Sequence, residues 1–317
     1  RFEDNTFNAF RRHFISAEIP ELFAGGKEDW TNDGSAAHGA RLSYFSRAEY
    51  SYKDKYLFQF VGRYDGSYLF PSNSRWGFFP AVSAGWRVSE EPFFKNSVNF
   101  LDELKLRASW GRTGNDLIDP TSLVEAQQFY GGYQFGSGYV FGADQDVVLS
   151  LYQSRVPNPS ITWEKANQLD IGIDGTAMEN RLSFTLDYWS QVRTGILIQP
   201  NGTLPQTTGY TPPRLNIGQV NSVGFDGNVG WDQQVNSKFS FHVGLNAGYS
   251  LSKVIITNEA PNLPKYQTAI GDKIGTDLYY KSIGIFQNAE DLARHPHWTG
   301  ARPGDVIFED VNGDGKI

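Results

Sequence analysis

The chain ends in the run DVNGDGKI, where Asp310, Asn312 and Asp314 stand at alternate positions before Gly315. That is the spacing of positions 1, 3, 5 and 6 of an EF-hand-type loop. Lys316 follows at position 7, where a backbone carbonyl serves as ligand, and Ile317 stands at position 8. Hard oxygen donors at alternate positions on a chain bent by glycine wrap one face of Ca²⁺. The predicted ligands are therefore Asp310, Asn312, Asp314 and Lys316, holding a structural ion that shapes a loop. An Asx-rich turn accounts for the same residues without an ion, because Asn-Gly and Asp-Gly are strong turn formers. Other chemistry is sparse. The chain has no cysteine, which removes disulfides, thiolate catalysis and Cys-ligated zinc. His295 and His297 lack a third metal ligand, and neither HExxH nor G-x-S-x-G occurs. A glycan hydrolase needs two carboxylates in one cleft, and no pair among the acids is picked out by its surroundings. We expect no enzyme.

A second group of residues binds rather than reacts. Trp30, Phe70, Tyr130, Tyr133, Tyr139 and Trp298 all fall in long connections, where aromatic rings stack on sugar faces or on apolar peptide side chains. The alternative is that they pack loop against loop. The Gly-rich stretch 128–142 lacks the Lys-Ser/Thr of a phosphate loop and reads as a flexible external loop. A net charge of −7 excludes nucleic acid as a partner, since phosphate binding requires a basic surface.

The elements that must position these residues are strands. Phe239, Phe241, Val243, Leu245, Ala247, Tyr249 and Leu251 alternate with Ser240, His242, Gly244, Asn246, Gly248 and Ser250. Side chains of a strand point alternately to its two faces, so this segment is apolar on one side and polar on the other. The same period recurs at 41–53, 56–66, 76–88, 104–110, 168–174, 182–193 and 217–231, and with a first strand near 3–18 the count is nine. Tight turns at 52–56, 179–181 and 236–238 alternate with long connections at 20–40, 66–75, 112–162, 194–216 and after 254. Short turns on one side and long loops on the other mark an outer-membrane barrel. The connection at 90–103 falls on the short side and is longer than this rule predicts. A mean hydropathy of −0.44 is compatible with such a barrel, because only alternate residues meet lipid. A soluble β-sandwich or propeller also alternates faces, but its strands are shorter, about 5–6 residues. Charges on the polar face mix both signs, including Arg47, Glu49, Arg63, Asp65, Lys105, Arg107, Asp170, Asp174, Asp187 and Arg193. Mixed signs suit salt bridges and hydrogen bonds to a removable domain inside a wide barrel rather than a charge-selective open pore, and simple solvation of a lumen wall accounts for the same residues.

Seven stretches carry a resemblance to a known family: 42–67, 75–94 (RWGFFPAVSAGWRVSEEPFF), 101–115 (LDELKLRASWGRTGN), 158–174 (NPSITWEKANQLDIGID), 180–189, 216–229 and 303–317 (PGDVIFEDVNGDGKI). In this order they resemble the SusC/RagA family of TonB-dependent outer-membrane transporters of the Bacteroidetes. The resemblance implies an all-β fold, an antiparallel transmembrane β-barrel of 22 strands filled by an N-terminal plug, of which residues 1–317 would be a partial barrel portion. It also implies multi-pass placement in the outer membrane and a SusD-like surface lipoprotein as partner. TonB contact would run through a plug segment that this sequence does not include, as it does not include the strands expected after Ile317. The expected activity is import of oligosaccharides or oligopeptides. A surface β-protein that binds glycans without moving them is the alternative.

Overall fold

The computed structural model of the chain describes residues 2–11, 31–117, 128–142, 146–200, 212–311 and 313–317. Strands β1 (Phe2–Phe10) and β2 (Thr31–Gly39) form a two-stranded antiparallel ladder. Then follow β3 (Arg41–Tyr52), β4 (Tyr56–Ser67), β5 (Trp76–Arg87), the short helix α1 (Pro92–Ser97) and β6 (Leu101–Asn115). A hairpin of β7 (Gly132–Phe141) and β8 (Asp146–Arg155) interrupts the sequence before β9 (Glu164–Ala177), β10 (Leu182–Ile198), β11 (Leu215–Asn236) and β12 (Phe239–Ile256). The chain divides into two compact units, and the second, residues 264–267 and 274–317, contains β13 (Ser282–Ile285), α2 (Ala289–Arg294) and β14 (Val306–Phe308).

The first unit is dominated by one sheet of eight antiparallel strands in the order β3-β4-β5-β6-β9-β10-β11-β12. Each of the eight coincides with an alternating stretch of the sequence. The ninth, β1, pairs with β2 instead, in a stretch that reads as loop. Register carries the alternation across the whole sheet. Tyr50, Phe58, Ala84, Ala108, Ile171, Tyr188, Phe225 and Tyr249 stand in one line. One residue away on the other face runs Glu49, Gln59, Ser83, Ser109, Asp170, Trp189, Gly224 and Ser250. A slip of one residue on any strand would mix these lines, so burial of the apolar face fixes the register. That face is bare in the isolated chain: Phe58 is 54%, Phe225 59% and Leu245 70% exposed. An apolar surface of this extent needs a non-aqueous neighbour.

The apolar band is inclined. Phe60, midway along the band of β4, lies in the same line as Leu251, which ends the band of β12 before Lys253. The slip of about five residues over six strand spacings corresponds to a tilt of roughly 30°, near the range for barrel strands.

Connections at one end are short and held by local hydrogen bonds. Lys53 and Asp54 both take positive φ, +53° and +52°, forming the mirror-image turn that matches strand twist. Met178, Glu179 and Asn180 form a left-handed turn at φ +57°, +61° and +61°. Asp102 secures it by accepting from the Asn180 amide at 2.8 Å. The connection between β5 and β6 is longer than the rule because it folds on itself, with a 3-10 turn at Val88–Glu90 and then α1, opened by Pro92. The Glu91 carboxylate accepts from Tyr56 Oη at 2.7 Å, Lys55 Nζ at 3.0 Å and Trp86 Nε1 at 3.3 Å, tying two neighbouring connections together. The Tyr56 hydrogen bond, with that of Lys55, holds the Glu91 carboxyl below the usual range.

Connections at the other end are long and held by packing. Leu69, Phe70, Phe79, Ile161 and Trp163 are buried together, with Tyr68, Phe129 and Leu197 against them. Trp163 lies 5.1 Å from Phe70 and edge-on to Phe79 at 5.2 Å, and its Nε1 donates to the Arg75 carbonyl at 3.1 Å. Two asparagines anchor the approach to Trp163. Asn158 Nδ2 donates to the Arg214 carbonyl at 2.7 Å, and Asn216 exchanges hydrogen bonds with the Thr162 backbone at 2.8 and 2.9 Å.

Candidate functional site

The polar face of the sheet is a lattice of ion pairs. Arg107 on β6 projects between β9 and β10: its Nε lies 3.1 Å from Asp174, its Nη1 3.2 Å from Asp170 and its Nη2 2.6 Å from Asp187. Gly172, directly opposite Arg107, leaves the space the guanidinium uses, because an added Cβ would lie 2.6 Å from Arg107 Cζ. Lys105 approaches Asp174 at 3.7 Å. Further along the face Arg63 pairs with Asp65 through two hydrogen bonds of 3.2 Å, Arg193 meets Glu164 at 3.4 Å, and Arg47 pairs with Glu49. The mixed signs read from the sequence are thus paired within the wall, which makes the face a structured polar surface rather than a field of one sign. Asp226 on β11 stands opposite Asp187 and adds a fourth carboxylate to the row, against Arg107 and Lys105, so this patch is net acidic.

The long-connection end carries most of the ring residues singled out in the sequence. Tyr130 packs on Phe129 at 4.1 Å and is 58% exposed. Tyr133 and Tyr139 are exposed on β7, within the stretch read as a flexible loop. Its glycines are interleaved with β-forming aromatics, and the strand absorbs an irregularity between Phe135 and Gly138. Phe135 pairs with Leu151 and Gly138 with Leu149, so one extra residue puts Tyr133 and Tyr139 on opposite faces of the hairpin. Phe70 is a correction. It is fully buried against Trp163, which removes it from any stacking surface. Trp30 lies outside the described residues.

In the second unit, Asp310 Oδ1 accepts from the amides of Gly313 at 2.8 Å and Asp314 at 3.3 Å, and Oδ2 from Gly315 at 2.8 Å. Asp314 Oδ1 accepts from Lys316 N at 2.9 Å, and Gly313 and Gly315 turn the chain at φ +72° and +77°. The loop is therefore wound around the Asp310 carboxylate, while Asn312 lies outside the described residues. Among the described residues no group of three His, Cys, Asp or Glu side chains is placed to hold a metal ion. His297 Nδ1 donates to the His295 carbonyl at 2.9 Å, which ties that pair into the local backbone. Trp298 is half-buried against Phe308 at 5.7 Å, and Phe308 in turn meets Tyr280 at 5.0 Å. Sequence reading marked Trp298 and missed its two neighbours.

The TonB dependent receptor-like, beta-barrel family matches residues 4–310. The chain belongs to this family. TonB-dependent receptor P26 of Formosa agariphila is 29% identical over 87% of this chain and 28% of its own length. TonB-dependent receptor SusC of Bacteroides thetaiotaomicron is 28% identical over 89% of this chain and 28% of its own length. The chain thus spans little more than a quarter of these relatives. Among solved structures, the RagAB peptide importer in its "closed-closed" state shares the fold, with a TM-score of 0.71 and 22% identity over 97% of this chain and 33% of that one.

As a stretch of TonB-dependent receptor barrel wall, the sheet has a physical account for both faces. The apolar face is the lipid side, and its ring clusters sit at the borders of the band. At the long-connection border Trp76 stacks on Tyr64 at 4.9 Å with 9° between planes, and on Tyr44 at 6.2 Å. At the other border Tyr52 and Tyr56 stack at 6.4 Å. From Leu42 to Tyr52 the tilted strand rises about 25–30 Å, close to the height of an outer-membrane apolar band. The polar face with Arg107 is the lumen side of the receptor barrel.

Proposed function

We propose that the protein serves as the barrel of an outer-membrane importer of nutrient oligomers, oligosaccharides or oligopeptides, driven through TonB and capped by a SusD-like surface lipoprotein. The observation that carries this reading is the eight-stranded wall itself: a lipid-type face along its whole width, backed by a polar face of paired ions, within the TonB-dependent receptor family. A removable plug is the natural neighbour of such a lumen face, and the net-acidic patch around Arg107 favours basic groups on it. Binding rather than chemistry on the substrate is the role of the exposed rings Tyr130, Tyr133 and Tyr139, with Trp30 and Trp298.

Structural Ca²⁺ at Asp310, Asn312, Asp314 and the Lys316 carbonyl belongs to the same proposal. Asp310 Oδ2 accepts a hydrogen bond from the Gly315 amide, and a carboxylate oxygen has a second lone pair, which fits a hard cation. The ion would fix the loop and take no part in catalysis. Thermal unfolding of the full-length protein with Ca²⁺ and with EGTA tests this, and Asp310→Asn should abolish any difference between them.

Import is tested by purifying the full-length protein from outer membranes in detergent and identifying what accompanies it by mass spectrometry. A co-purifying lipoprotein together with a glycan or peptide mixture supports the importer. A protein recovered alone, with growth on oligomeric nutrients unchanged when its gene is deleted, supports the non-transporting glycan-binding alternative.

A further inference from the structure

On the lumen face cations meet carboxylates within the sheet, as Arg63, Lys105, Arg107 and Arg193 do. On the lipid-side face three cations do not. The apolar band of β6 ends at Trp110, and the next residue on that face is Arg112. Opposite these two stand Leu169 and Asn167 on β9, with Lys165 the next residue outward. The line through Asn167 runs on by Val192 and Asn221 to Lys253, which follows Leu251 on the same face of β12. Arg112, Lys165 and Lys253 therefore border the band at the long-connection end. Among the described residues none of the three has an ion-pair partner, and beyond the band at this end of β6 and β9–β12 their face carries no carboxylate. Asn167 Oδ1 accepts from Arg112 Nε at 2.8 Å, and Gly114 opposite Lys165 sets no side chain across it. Lys253 is bridged to Lys273, which puts two lysines on one side of that pair, an arrangement that repels unless an anion lies between.

We infer that this border strip binds the phosphate groups of anionic lipids in the leaflet at the long-connection end, with Arg112 and Lys165 as one site and Lys253 beside Lys273 as another. The depth is that of a headgroup: acyl chains lie along the band up to Trp110 and Leu251, and the phosphate of the same molecule reaches the cations just beyond. Asn167 engages Arg112 through Nε and leaves the two terminal nitrogens, whose fork matches two phosphate oxygens. Lys165 adds a second charge from the neighbouring strand, where its stem can run along the wall while the ammonium reaches the interface. A free phosphate ion would gain the charges without the apolar contact that continues from them. A protein partner would have to displace lipid from this face first.

The test is native mass spectrometry of the full-length protein released from neutral detergent micelles that contain phosphatidylglycerol or phosphatidylcholine of the same chain length. The parent should retain phosphatidylglycerol in preference to phosphatidylcholine, and inorganic phosphate should not displace it. Arg112→Gln, Lys165→Gln and Lys253→Gln should each lower the affinity for phosphatidylglycerol about fivefold, the worth of one cation at a lipid surface, with phosphatidylcholine unaffected. Lys165→Arg keeps the charge and should keep the preference. Arg294→Gln, on α2, should leave it unchanged and serves as the control for general loss of charge. Equal retention of the two lipids by the parent overturns the inference, as does a preference that survives removal of Arg112 and Lys165 together. Displacement by inorganic phosphate would show a site for a free anion, and loss of a co-purifying protein with lipid retention intact would show a protein surface; either overturns it.

Discussion

The two ends of the wall are built by different means. At the short-connection end, neighbours in sequence make the structure: Lys53 and Asp54 turn the chain, and Asp102 secures the turn through Asn180. Glu91 gathers Lys55, Tyr56 and Trp86. At the long-connection end, distant segments meet in an apolar cluster. Phe70 and Trp163 are 93 positions apart by number and touch at 5.1 Å. Hydrogen-bonded turns keep the first end narrow and let it tolerate water. Buried rings at the second make a stable rim from which the hairpin with Tyr133 and Tyr139 projects. The wall is thus finished by local hydrogen bonds on one side and by long-range packing on the other.

Removing the packing of the rim is the most severe way to break this contrast. Trp163→Ala should cost about 3–5 kcal/mol in urea unfolding of the full-length protein in micelles, and should expose residues 128–155 to protease. A stable, protease-resistant variant would mean the rim does not depend on the cluster. Between the ends, Ile171→Arg at mid-band should cost about 2–4 kcal/mol for folding into bilayers, against about 1 kcal/mol or less for Gln168→Arg on the lumen face. Equal costs would erase the distinction between faces.

At the short-connection end the effects are smaller and depend on pH. The Glu91 carboxyl is depressed, so its contribution is present at and above the ordinary glutamate range and lost as pH falls through its lowered value. Glu91→Gln should therefore speed hydrogen exchange of the Arg87 and Glu91 amides at neutral pH, and the difference from the parent should close in acid. A difference that persists unchanged in acid would show that charge is not what holds the knot. The smallest change has the opposite sign. Glu179→Gly relieves a left-handed residue and should stabilise by about 0.5–1 kcal/mol, the exposed Glu179–Arg181 pair offsetting little. Destabilisation would show that this turn is tighter than its φ values imply.

What the sequence disclosed follows the same division. The eight wall strands were legible because Ile171 and Asp170, or Phe58 and Gln59, differ sharply in polarity at a period of two. Their upper ends were not. Beyond the band, as at 164–167, both faces carry polar residues and the alternation fades, although β9 continues. The β7–β8 hairpin was hidden by its glycines. The fate of Phe70 was set by Trp163, and the meeting of Trp298 with Phe308 and Tyr280 by the pairing of β13 with β14. No local pattern announces contacts of that kind.

The central claim is that this sheet is a barrel wall with lipid on one face and water on the other. Residues 1–317 contain no cysteine, so in the full-length protein, with any cysteine outside this stretch replaced by serine, single substitutions can be labelled after reconstitution into vesicles, Ser83→Cys and Ser109→Cys against Ala84→Cys and Ala108→Cys. Nitroxides at positions 84 and 108 should be relaxed by oxygen, which partitions into lipid, and those at 83 and 109 by a water-soluble nickel chelate. Equal access of the chelate to all four positions would contradict the account.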